Sequence, residues 1–163
     1  MRNLLLSTLC ALSISTFVPP AFAQIVDIKY SDDAQKKFSE EYGEREQPIL
    51  EKHLRAKATK AVAKNNLQIS RIEFTIEKIS PNHPTREQAN EKPGLDQFRS
   101  VSIGGAKISS VAYGMNDEII AETSVNRFSH SIRDAQYGST WTDAKQAFGV
   151  ISNKLAQTIA RQS

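Results

Sequence analysis

His130, Asp134 and Ser139 fall within ten residues and are the one set in this chain whose types could supply a base, an acid and a nucleophile. In such a set the imidazole takes the serine proton, the oxygen attacks an acyl carbon, and the aspartate orients the ring. That chemistry needs more than three residue types. No G-x-S-x-G elbow and no evident oxyanion donor accompany them, so no catalytic residue is assigned. A periplasmic hydrolase using His130 with Asp134, or His83 with Arg86, stands only as the alternative reading.

The other routes to chemistry close in turn. His53, His83 and His130 are far apart, and no H-x-x-x-H or H-E-x-x-H spacing sets two on one helical face, so no metal site is expected. No P-loop and no G-x-G-x-x-G occurs, and Gly104-Gly105 lies inside a strand pattern, so no nucleotide and no other cofactor is expected. His53 sits beside an apolar helical stripe and reads as a boundary side chain with its polar edge in water. Three residues remain as binding candidates: His83, Arg86 and Trp141. The first two belong to Asn82-His83-Pro84-Thr85-Arg86, where asparagine and proline favour a structured turn. Trp141 lies on an apolar helix stripe, where core packing is its default explanation and a ligand pocket the alternative.

The ends of the chain bear on where these residues work. Residues 1–23 carry one charge, Arg2, then an apolar run and Ala21-Phe22-Ala23, the order of a secretory signal cleaved between Ala23 and Gln24. The run is shorter than the ~20 residues of a membrane-crossing helix, so no stable membrane anchor is expected after cleavage. A periplasmic or secreted protein is the expectation. Cys10 is the only cysteine and lies in that segment, so residues 24–163 have no disulfide and no thiol nucleophile. They carry 20 basic against 18 acidic side chains. This near-balance argues against nucleic acid as a partner. Their length fits a single domain with its own core.

The elements that must position the candidates follow from periodicity. Ile25 to Tyr30 alternates as a first strand, and Ser31 has N-cap chemistry for a brief helical turn through Phe38 and Tyr42, closed by Gly43. Glu46 to Lys64 is a helix with Leu50, Leu54, Ala58 and Ala61 on one stripe. Leu67 to Ile79 resumes strand alternation, with Arg71, Glu73, Thr75 and Glu77 on a wet face. Residues 80–99 have three prolines and no apolar period, and are expected to be a long loop. Ser100 to Phe128 reads as a hairpin about Gly114-Met115-Asn116-Asp117-Glu118, with Val101 and Ile103 leading in and a bend at Gly104-Gly105. A second main helix is expected from Thr140 to about Ala160, with Thr140 and Asp143 as a capping box.

The stretches IVDIKY, NHPT, PGLD, SIGGAKIS and TWTDAKQAF together resemble small exported bacterial α+β proteins of unassigned function. The resemblance spans nearly all of residues 24–163, implies a common architecture and carries over no catalytic residue. The fold class expected is α+β, a single antiparallel or mixed sheet of about four strands with two main helices packed on one face. The function expected is a non-enzymatic envelope interaction or binding module, with another cell-envelope protein or a small ligand as partner. A ligand carrier with Trp141 near its pocket is a further alternative.

Overall fold

The computed structural model describes residues 25–135 and 138–162, without the side chains of Ile25 and Asp134. The expected signal segment 1–23, Cys10 and the Ala23/Gln24 cleavage point lie outside the described residues. In chain order the elements are β1 (Ile25–Tyr30), α1 (Asp32–Lys37) running into a π-turn (Phe38–Tyr42), α2 (Glu46–Lys64), β2 (Arg71–Ser80), α3 (Arg86–Glu91), β3 (Gly105–Tyr113), β4 (Ile119–Phe128), α4 (Ile132–Ala135) and α5 (Thr142–Gln162). They form one four-stranded sheet in the order β1-β2-β3-β4, with β1 parallel to β2 and the other pairs antiparallel. The α+β expectation, a mixed sheet with two long helices, holds.

A parallel pair cannot be joined by a tight turn, so β1 reaches β2 through α1, the π-turn and α2. Ser31 starts this crossover: its Oγ accepts from the Ala34 N–H at 3.3 Å, while its own N–H donates to the Ile76 carbonyl at 3.0 Å. Gly43, at φ +86°, ends the π-turn in a conformation that other residues resist.

The inner sheet face carries Ile72, Phe74, Ile76, Ala106, Ile108, Ala112 and Ala121 against Leu50 and Leu54 of α2 and Phe148, Ile151 and Leu155 of α5. Helix α5 lies over β3 and β4 and packs beside α2. The alanines of β3 and β4 beneath it, with Ala144 and Ala147 on its own stripe, let it come close to the sheet. Each fully buried leucine, isoleucine or phenylalanine contributes roughly 1.5–3 kcal/mol. Polar pairs on the outer face contribute far less. There Lys29 meets Glu73 at 3.1 Å, Arg71 meets Glu73 at 3.4 Å and Asp117 at 3.2 Å, and Lys107 meets Glu77 at 2.6 Å. Such exposed pairs are worth about 0–1 kcal/mol each. Their effect is to keep the row Arg71, Glu73, Thr75, Glu77 wet, as its alternation predicts.

Three details differ from the sequence reading. The register of β2 shifts between Ile76 and Lys78, and this bulge returns Ile79 to the core despite its odd position. Val101 and Ile103 precede β3, which begins at Gly105. Residues 80–99 are not a loop without structure of their own: Thr85 and Gln88 make a reciprocal capping box, at 3.3 Å and 3.1 Å, that starts α3. No residue of α3 is buried. With no apolar stripe to bury, the helix shows no periodicity, and its cap is the one sequence signal for it.

Candidate functional site

Beyond Ser80 the chain turns inward, and Pro81 to Thr85 are all buried. Asn82, 1% exposed, uses four hydrogen bonds to tie three segments together. Its N–H donates to the Thr140 carbonyl at 2.7 Å, and its carbonyl accepts from the Ser102 N–H at 2.7 Å. Its side-chain Nδ2 donates to Asp143 Oδ2 at 2.5 Å, and its Oδ1 accepts from the Asp143 N–H at 3.0 Å. That N–H is among the first of α5, which have no partner inside the helix. Asn82 therefore caps α5 from sixty-one positions away. The expected capping box of Thr140 with Asp143 is corrected accordingly. Helix α5 starts at Thr142, whose Oγ1 accepts from the Ser139 N–H at 2.7 Å. Gly104 makes room for this knot, since a Cβ there would lie 2.5 Å from the Asn82 amide carbon.

The candidates read from sequence are placed apart. His83 is buried, with Nδ1 at 3.0 Å from the Ser100 carbonyl, so that the ring donates there. Arg86, three positions on, is exposed at the start of α3. Trp141 is 2% exposed. Its Nε1–H donates to Glu46 Oε2 at 2.6 Å, and its ring lies edge-on to Tyr42 at 5.5 Å and tilted to Phe38 at 6.0 Å. It joins α5 to the π-turn and to the start of α2. Tyr30 completes the aromatic group, edge-on to Phe38 at 5.2 Å, and burial, reinforced by Glu51, holds its hydroxyl pKa above the usual range. His53 is half-buried beside Phe148, and burial, then Lys57 and Lys145, press its imidazole below the ordinary histidine range.

An open cleft of about 800 Å3 lies between the end of β4 and the first half of α5. Asn126, Arg127, His130, Thr142, Gln146 and Val150 line it. Arg127 Nη2 donates to Gln146 Oε1 at 3.1 Å across the cleft. Asp143 also borders it, with its carboxylate engaged by Asn82. His130 is exposed and lines the cleft, whereas the side chain of Asp134 lies outside the described residues. Ser139 and Trp141 are not among the lining residues. Among the described residues no group of three histidine, cysteine, aspartate or glutamate side chains is placed to hold a metal ion, and no helix is long and apolar enough to cross a membrane.

Sequence reasoning passed over Asn82, Arg127 and Gln146. A signal for Arg127 was present: Ala121, Thr123, Val125 and Arg127 share one parity, so the arginine falls on the face that β4 turns toward the helices. No family model matches the chain, and no curated protein matches it at a significant level.

Proposed function

We propose that this chain is an exported, non-enzymatic binding module of the cell envelope, which takes a partner protein or small ligand in the cleft between β4 and α5. The observation that carries this reading is the cleft itself. Its volume, about 800 Å3, is that of a ligand site, and Arg127 and Gln146 converge on it from two elements. The deeper polar groups beneath it, Asn82 and Asp143, are committed to holding α5 in place. The resemblance to small exported α+β proteins belongs to the same reading. A hydrolase is the second reading, favoured by one observation, that His130 borders the same cleft.

A photo-activated crosslinking residue at Gln146, introduced in the native host, tests the proposal. The expected result is a crosslinked species of defined mass that is absent when the crosslinker sits at Lys57, an exposed position of α2, and absent when Arg127→Glu is added. Equal capture from both positions sinks the reading. Turnover of an acyl substrate that disappears in His130→Ala would replace it with the second.

A further inference from the structure

We infer that the occupant of this cleft is a short extended peptide carrying an acidic side chain, which adds as a strand to the free edge of β4 at Asn126 to Phe128. The inference rests on the cleft being a binding site and names what it binds.

Strand β4 is outermost in the sheet, so every second residue turns its N–H and C=O away from β3. The Ser129 N–H donates to the Gly104 carbonyl at 2.9 Å, and the register continues through Ala106↔Arg127 and Ile108↔Val125. Odd-numbered residues of β4 therefore pair inward, and Ser124, Asn126 and Phe128 present their backbone groups at the edge. Sheets ordinarily cover such groups, because a bare edge accepts any passing strand. Here two helix-borne cations do so: Lys154 Nζ of α5 donates to the Ser124 carbonyl at 2.9 Å, and Arg55 of α2 donates to the Val26 carbonyl of β1. Beyond Lys154 toward the end of the strand, Asn126 to Phe128 stay uncovered, and this stretch borders the cleft.

Length selects the occupant. Lys154 closes the edge at Ser124, and the chain leaves the sheet after Phe128. Three or four residues of added strand fit that interval, about 10–14 Å of extended chain. The β4 of a second copy has ten residues and would run into Lys154. Charge selects the side chain. Among the described residues Asp143 is the one carboxylate that lines the cleft, and it is engaged by Asn82, while Arg127 spends one of its five N–H donors on Gln146. An acidic residue opposite Arg127 would meet an arginine with donors to spare, at the spacing of a cross-strand pair. Residues two positions to either side would point the same way, toward Val125 and Val150.

The test is a titration with acetyl-Val-Thr-Glu-Thr-Val-amide, whose valines share the face of the glutamate, following backbone amide shifts by two-dimensional NMR. The Asn126 and Phe128 amides should move and saturate. Glutamine in place of the central glutamate should weaken binding about tenfold. Of two peptides N-methylated on alternate amides, one should bind as before and the other should fail, because only one set of N–H groups faces β4. Asn126→Pro removes an outward N–H and no ladder bond, and should abolish the shifts while the β3–β4 cross-peaks remain. Two methylated peptides that bind alike overturn strand addition, and a glutamine peptide that binds as well overturns the acidic preference. No shift at β4, with Gln146 crosslinks intact, overturns this inference and leaves the cleft reading standing. Amide shifts at β4 that appear on raising protein concentration alone mean that the occupant is a second copy. Loss of the Gln146 crosslinks themselves overturns the cleft reading and this inference with it.

Discussion

Asn82 and Asp143 hold each other in both directions: the asparagine amide gives a hydrogen bond to the aspartate carboxylate at 2.5 Å and receives one from the aspartate N–H at 3.0 Å. The pair joins the end of β2 to the start of α5. One wall of the cleft rests on it.

Asn82→Ala should therefore cost about 2–3 kcal/mol, a helix cap of ~1 kcal/mol plus the loss of a charge-assisted bond. Asn82→Asp should cost at least as much, since it sets two carboxylates side by side. Thr140→Ala should stay within about 0.5 kcal/mol, as substitutions away from a cap do. Urea midpoints of the three variants check the order, and a Thr140 effect equal to that of Asn82 would return the cap to Thr140.

His83 and Arg86 should separate cleanly. His83→Ala empties a buried site and frees the Ser100 carbonyl, at a cost of about 2–4 kcal/mol. Arg86→Ala, on the exposed face of α3, should change stability by no more than about 0.5 kcal/mol. Thermal melts of the two single variants suffice, and equal losses would contradict the buried placement of His83.

Trp141 is the sole tryptophan, so its emission reports on its own contact. Trp141→Phe keeps most of the ring packing and removes the bond to Glu46, for an expected loss of about 1–2 kcal/mol. In a double-mutant cycle with Glu46→Ala the two losses should fall short of additivity by about 1 kcal/mol. Additive losses would mean that the indole N–H and Glu46 do not meet in solution.

His53 gives the fold a pH dependence whose sign follows from its lowered pKa. The unfolded chain binds the proton more readily than the folded one, so stability is fully present above the ordinary histidine pKa of about 6.5 and is lost as pH falls below it. The pull of burial, Lys57 and Lys145 all act the same way. Unfolding midpoints between about pH 8 and pH 5 should fall in the parent, and fall less in His53→Gln. A parent whose midpoint rises over that interval would reverse the sign.

The layers of this fold were legible because they rest on local periodicity: Ile72, Phe74 and Ile76 at every second position, Phe148, Ile151, Leu155 and Ile159 at helical spacing. The helix between β1 and β2 permits their parallel pairing without dictating it, which is why periodicity leads no further than an antiparallel or mixed sheet. The candidate site was not legible, because its parts meet only in three dimensions. No local pattern announces that Asn82 will cap a helix sixty-one positions later, and Thr140 offered a plausible cap nearby. His83 and Arg86 looked alike as polar loop residues, yet burial divides them. Arg127 was hidden by its neighbours: in an alternating strand its parity alone marked it as facing the helices.

The parallel first strand also sets an order of events. Ile25 must wait for Arg71, and among the described residues β2 is the one strand that pairs with β1. The β3–β4 hairpin closes over Gly114 to Glu118, a far shorter loop. Closing a longer loop costs more entropy before any contact returns it, so pairings distant in sequence form late. A chain emerging from its amino end carries β1 unprotected through the making of the whole of α2. Pulse-labelled hydrogen exchange during refolding should find the amides of β3 and β4 protected first and those of β1 last. The step that completes the molecule is then the arrival of its first strand.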